Sequence, residues 1–89
     1  MINKRVTIVN KLGLHARAAA KFVNHASHFG SEIVVKKGDQ VVNGKSIMGV
    51  MMLAASRGTD LEISIEGKDE EAMMADIIAL IDNRFGEEV

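Results

Sequence analysis

The chain has 89 residues, 47% of them hydrophobic and 26% charged, and 11 Lys and Arg set against 12 Asp and Glu leave a formal net charge of -1. A chain this short buries only about 60 to 65% of the surface it exposes when unfolded, enough for one two-layer core, which excludes a second lobe and an interdomain cleft. The charge balance and 3% aromatic content argue against nucleic acid as a partner, and zero Cys removes disulfides, zinc fingers, iron–sulfur clusters and thiol nucleophiles together.

With no Pro, no low-complexity stretch and no repeat of solenoid period, residues 1–89 are expected to form one domain. Met1 to Arg5 leads into only four strand-like residues, so no apolar run reaches signal-peptide or membrane-spanning length, and the cytoplasm is the expected location. Lys4 to Val9 reads as a strand, with Val6 and Ile8 on one face. Asn10 to Leu14 is a loop. Ala16 to His28 is Ala-rich, with Ala19, Phe22, Val23 and Ala26 at helical spacing and Gly30 placed as a stop. Glu32 to Lys37 and Gln40 to Asn43 are β-branched runs joined by Gly38-Asp39, a pair suited to a tight hairpin. Ser46 stands at the N-cap of a short helix that starts at Ile47. Thr59 to Glu66 alternates, with Leu61, Ile63 and Ile65 inward and Glu62, Ser64 and Glu66 outward, as in a sheet wet on one face. Asp69, Glu70 and Glu71 suit a helix N-terminus, and Met74, Ile77, Ile78, Ile81 and Phe85 form its apolar stripe before Gly86. The order β-α-β-β-α-β-α, with one-sided strands, predicts an α+β open-faced sandwich: an antiparallel sheet covered on one face by three helices.

Of the three His, only His15 sits at a helix start, where the first N–H groups lack carbonyl partners and the dipole is positive. The plain reading is a cap, although Ser, Thr, Asp and Asn are the preferred ones. Arg17 two residues on, and the small Ala16, Ala18, Ala19 and Ala20, leave room for free amides and a guanidinium to converge on a phosphoryl group. The positive helix end also favours an unprotonated, nucleophilic ring nitrogen. That combination describes a phosphoryl acceptor, with the backbone of Ala16, Arg17 and Ala18 as its cradle. His25 and His28 share a helix face but have no partner ligands in the pattern, and read as solvated surface rather than a metal site.

Gly44-Lys45-Ser46 matches the end of a phosphate-binding P-loop, but Asp39 occupies the required first Gly position. Ser46 is therefore read as an N-cap whose hydroxyl can also be phosphorylated, adding negative charge where a partner would dock. The run IMGVMMLA from Ile47 to Ala54 has no polar side chain. If Val50 and Leu53 face the core, then Ile47, Met48 and Met51 form an apolar outward patch for docking; the alternative is a helix roofed over by loops.

Residues Gly13 to Val23 (GLHARAAAKFV) resemble the phosphorylation-site motif of HPr, the histidine-containing phosphocarrier of the bacterial phosphoenolpyruvate-dependent phosphotransferase system. The resemblance spans the chain: its length, element order, the segment Gly44 to Met51, and Glu66-Gly67 before the last helix all fit. It implies a four-stranded sheet in the order 1-4-2-3. It further implies that His15 takes a phosphoryl group on Nδ1 from phosphorylated enzyme I and passes it to a His of an EIIA-type protein, with Arg17 assisting. Ser46 matches the position that HPr kinase/phosphorylase modifies in many relatives. Ala18 stands where the family motif usually has Pro; Pro suits a first helical turn but contributes nothing chemically, so a small stability effect and intact transfer are expected. Asn10 to Gly13 is more similar to the nitrogen-related branch, NPr.

The expected protein is thus a monomeric carrier without cofactor or metal, not an enzyme turning over alone, whose transfers are completed by its partners. Its partners are enzyme I, an EIIA-type protein and a Ser46 kinase. A competing expectation is a regulatory docking module switched through Ser46. A third, a nucleic-acid-binding domain, requires steep salt-dependent binding that this composition does not favour.

Overall fold

A computed structural model describes residues 1–88, so that Val89, the last residue of the expected domain, lies outside the described residues. The elements are β1 (Ile2–Thr7), α1 (Ala16–Ala26), β2 (Glu32–Lys37), β3 (Gln40–Asn43), α2 (Ile47–Met52), β4 (Asp60–Glu66) and α3 (Glu70–Asp82), followed by a 3-10 turn over Arg84–Gly86. The four strands pair antiparallel in the order β1-β4-β2-β3, as the resemblance implied.

Period-two alternation sets the register. Ile63 lies opposite Val35 and Ile65 opposite Ile33 across β4 and β2, and Leu61 faces Val6 across β4 and β1. All six are buried, and the alternate residues Glu62 and Arg5 meet on the open face at 3.6 Å. Phe22 and Ala26 of α1, Val50 of α2, and Met73, Ile77 and Ile81 of α3 cover the inner face. Full burial of one such aliphatic side chain stabilises the fold by roughly 1.5–3 kcal/mol, and a one-residue slip of β4 would lose three of them at once.

Several boundaries differ from the sequence reading by a residue or two, where terminal turns fray. One difference is larger. Phe85 extends the apolar stripe of α3 by sequence, yet the helix stops at Asp82 and Phe85 lies in the following turn with φ 55°. Arg84, Phe85 and Gly86 all have positive φ, which reverses the chain back over the core while Phe85 stays buried. α2 is fastened at its far end: Lys37 Nζ donates to the Leu53 carbonyl at 2.8 Å and Gln40 Nε2 to that of Met52 at 3.3 Å. Among the described residues no helix is long and apolar enough to cross a membrane.

Candidate functional site

The site is built from the loop that carries β1 into α1. Gly13 has φ 66°, a left-handed conformation that glycine adopts without steric cost. It packs so closely on Ala55 and Ser56 that a Cβ there would overlap the Ala55 carbonyl oxygen. Leu14 then donates its N–H to that same oxygen at 2.8 Å, and its buried side chain anchors the loop. The chain enters the helix at a fixed angle, with His15 as the N-cap residue.

His15 caps in backbone terms only. Its backbone is extended (φ -71°, ψ 177°), its carbonyl accepts the Ala19 N–H at 2.8 Å, and its side chain makes no cap hydrogen bond. The first-turn amides of Ala16, Arg17 and Ala18 thus keep their hydrogen-bonding capacity among the described residues, at the positive end of an 11-residue helix. Ala16 and Arg17 are exposed, and Ala18 has no accessible surface. No described carboxylate pairs with the exposed Arg17.

The imidazole is 27% exposed. Its Nε2 donates to Glu87 Oε2 at 2.5 Å, while Nδ1 has no partner among the described residues. The hydrogen bond from His15 holds the Glu87 carboxyl below its ordinary range, against the opposing effect of burial and with help from Asn10 and the charge of Lys21. Neither Glu87 nor Asn10 was singled out in the sequence. Glu87 lies 72 residues from His15 along the chain, in a segment that carried no motif.

The second cluster is α2. Ser46 Oγ accepts the Gly49 N–H at 3.1 Å, as an N-cap should. Val50 and Leu53 are buried, whereas Ile47, Met48 and Met51 are 45, 75 and 42% exposed, so the roofed-helix alternative does not hold. Met52, at 67%, extends the same apolar surface and was missed. α2 packs against α1, which places this patch and His15 on neighbouring elements.

His25 and His28 stand apart from this site. His25 Nδ1 donates to Asp76 Oδ2 at 2.8 Å and His28 is exposed. No group of three potential ligands for a metal ion occurs among the described residues.

Known proteins are similar to this chain in sequence and in fold. A family model described as the PTS HPr component phosphorylation site matches residues 2–83. The chain belongs to the HPr family of phosphocarrier proteins. The phosphocarrier protein HPr of Neisseria meningitidis is 53% identical over 87 residues, 98% of each chain. The crystal structure of HPr-C-His from Thermoanaerobacter tengcongensis superimposes with a TM-score of 0.96 at 48% identity, covering both chains completely. An HPr dimer from the same organism is also similar, with a TM-score of 0.78 over 98% of this chain and all of that one. The matched residues include the segment that carries His15.

Proposed function

We propose that His15 accepts a phosphoryl group on Nδ1 from phosphorylated enzyme I and donates it to a histidine of an EIIA-type protein. One observation carries the reading. A partly exposed imidazole sits at an uncapped helix start with Nε2 engaged and Nδ1 unengaged among the described residues, beside amides able to receive an oxyanion. Ala16 and Arg17 supply the nearest amides, Ala18 the next, and the Arg17 guanidinium closes on the phosphoryl oxygens as a charge-assisted donor. The carrier supplies no general acid and no metal of its own. Each transfer is completed by groups of the partner, which is why a carrier of this kind is not a turnover enzyme. It works in the cytoplasm as a monomer, residues 1–89 acting as one unit, and Ile47, Met48 and Met51 dock successive partners through adaptable thioether contacts.

Incubation with enzyme I and phosphoenolpyruvate should add the mass of one phosphoryl group, acid-labile and base-stable, to the wild type and not to His15→Ala. A His15→Ala protein that still takes the label overturns the assignment. Offering the phosphorylated protein to a sugar-type and a nitrogen-type EIIA reads out which branch it serves, given the likeness of Asn10 to Gly13 to NPr.

A second reading is favoured by the exposed methionines: a docking module switched at Ser46 by HPr kinase/phosphorylase, with His15 secondary. Phosphate on Ser46 would place negative charge next to that apolar patch. The two readings separate on Ser46→Asp, which slows phosphorylation of His15 if the patch serves the carrier and leaves it unchanged if docking is the whole function.

A further inference from the structure

Two groups at the site lie outside the phosphorylation motif, and they form one chain of hydrogen bonds ending on His15. Asn10 has no accessible surface; its Nδ2 donates to the Gly13 carbonyl at 2.8 Å and to Glu87 Oε1 at 3.0 Å. Its Oδ1 is buried without a partner among the described residues. The amide is therefore committed to one orientation, because the reverse would set its oxygen against two acceptors. The other Glu87 oxygen, Oε2, receives His15 Nε2.

The position of Glu87 is not incidental to a loose end. Arg84, Phe85 and Gly86 have φ values of 56, 55 and 80°, and left-handed backbone at two successive non-glycine residues persists only where surrounding contacts demand it. Here they do: Phe85 is buried, and Lys21 Nζ of α1 holds its carbonyl at 2.6 Å. The turn delivers a carboxylate to Nε2 of the imidazole, and Nδ1 has no partner among the described residues.

An ionised carboxylate only accepts hydrogen bonds, so the nitrogen facing it must carry the proton. We infer that Glu87, held in place by Asn10, is a positioning residue that keeps His15 in the Nε2–H tautomer and faces the charge the ring acquires when Nδ1 is phosphorylated. The inference rests on the carrier reading of His15. In the transfer the Nδ1 lone pair forms the new P–N bond as the donor's P–N bond breaks and its electron pair returns to the donor nitrogen. Nε2 keeps its proton throughout. The ring becomes a phosphoimidazolium whose positive charge lies against the Glu87 carboxylate, and the reverse sequence releases the group to the acceptor. No proton needs to enter or leave.

The experiment pairs imidazole 15N spectroscopy of the unphosphorylated protein with single-turnover phosphorylation by phospho-enzyme I, for wild type, Glu87→Ala and Glu87→Gln. Wild type should show mainly the Nε2–H tautomer. Glu87→Ala, which removes both acceptor and charge, should show mixed tautomers and slow acceptance by roughly ten- to a hundredfold, the worth of one charged hydrogen bond. Glu87→Gln has a single oxygen for two donors, Asn10 Nδ2 and His15 Nε2, so it should hold the tautomer less firmly than wild type but more firmly than Glu87→Ala, and accept the phosphoryl group more slowly than wild type. A wild type dominated by the Nδ1–H form, or a Glu87→Ala protein with wild-type tautomer and rate, overturns the inference while leaving the carrier reading intact. Label appearing on His15→Ala would instead defeat the carrier reading, and this inference with it.

Discussion

α1 and α2 begin with the same backbone device and differ in what the first side chain does with it. His15 and Ser46 both sit in extended conformation at an N-cap, but Ser46 turns its hydroxyl back onto the Gly49 N–H, whereas the His15 ring makes no bond to its own helix. α2 thus satisfies part of its own start, and α1 leaves its first amides without a side-chain cap. A start that serves as a binding site gives up the stabilisation a cap provides, of about 1 kcal/mol.

The sharpest way to break this contrast is to close the open start. His15→Ala and His15→Ser should both lose phosphoryl acceptance completely, which the mass-shift assay measures. They should differ in stability: both have lost the bond to Glu87, but only serine can cap, so His15→Ser should unfold at higher urea concentration, by about 0.5–2 kcal/mol relative to His15→Ala. Equal midpoints would show that the geometry at His15 does not admit a cap, and that the comparison with Ser46 is superficial.

The next largest effect tests what aims the open start. Gly13→Ala puts a Cβ onto the Ala55 carbonyl and holds alanine at φ 66°. Left-handed strain and overpacking together should cost roughly 2–4 kcal/mol in urea unfolding. Glycine at this position is needed by the close approach of two backbones and not by the chemistry. A cost within a few tenths of a kcal/mol would mean that the loop relaxes freely and does not fix the entry angle of α1. At the capped start the loss is smaller: Ser46→Ala removes one acceptor from the Gly49 amide and should cost about 1 kcal/mol. An unchanged midpoint would leave the hydroxyl without a structural role.

The two halves of the site were unequally legible. Gly13, His15, Arg17 and the alanines are contiguous, and a helix start is a local event, so spacing alone put His15 at the start of α1. The burial of Val50 and Leu53 against exposed Ile47, Met48 and Met51 was equally readable, because helical periodicity projects directly onto faces. Glu87 and Asn10 were not readable. Their contact depends on α3 ending at Asp82 and on three successive positive φ values, while the apolar spacing of Ile81 and Phe85 argued for one continuous helix. Periodicity describes which residues go inward; it does not distinguish a helical turn from a reversal that buries the same side chain.

The third helix start offers the smallest of the expected effects and completes the comparison. The side chain of Asp69, the N-cap residue of α3, makes no bond to its own helix. Its carboxylate instead accepts the N–H groups of Gly30 and Ser31, each at 2.9 Å, and the Ser31 hydroxyl, so it ties the α1–β2 connection to α3. The Ser31 hydroxyl, and after it the Gly30 amide, hold the Asp69 carboxyl below its ordinary value of 3.8. A folded value below the unfolded one means that the contribution is present at neutral pH, begins to fade as pH falls past 3.8 and is gone below the folded value. Urea midpoints of wild type and Asp69→Asn should accordingly differ at neutral pH and converge on acidification through that window. Because the carboxylate is largely solvated, the gap should be modest, and salt should narrow it. A gap that stays constant from neutral pH to well below 3.8 would show that the charge of Asp69 plays no part in the tie. In that case the starts of α2 and α3 would differ in hydrogen-bond geometry alone.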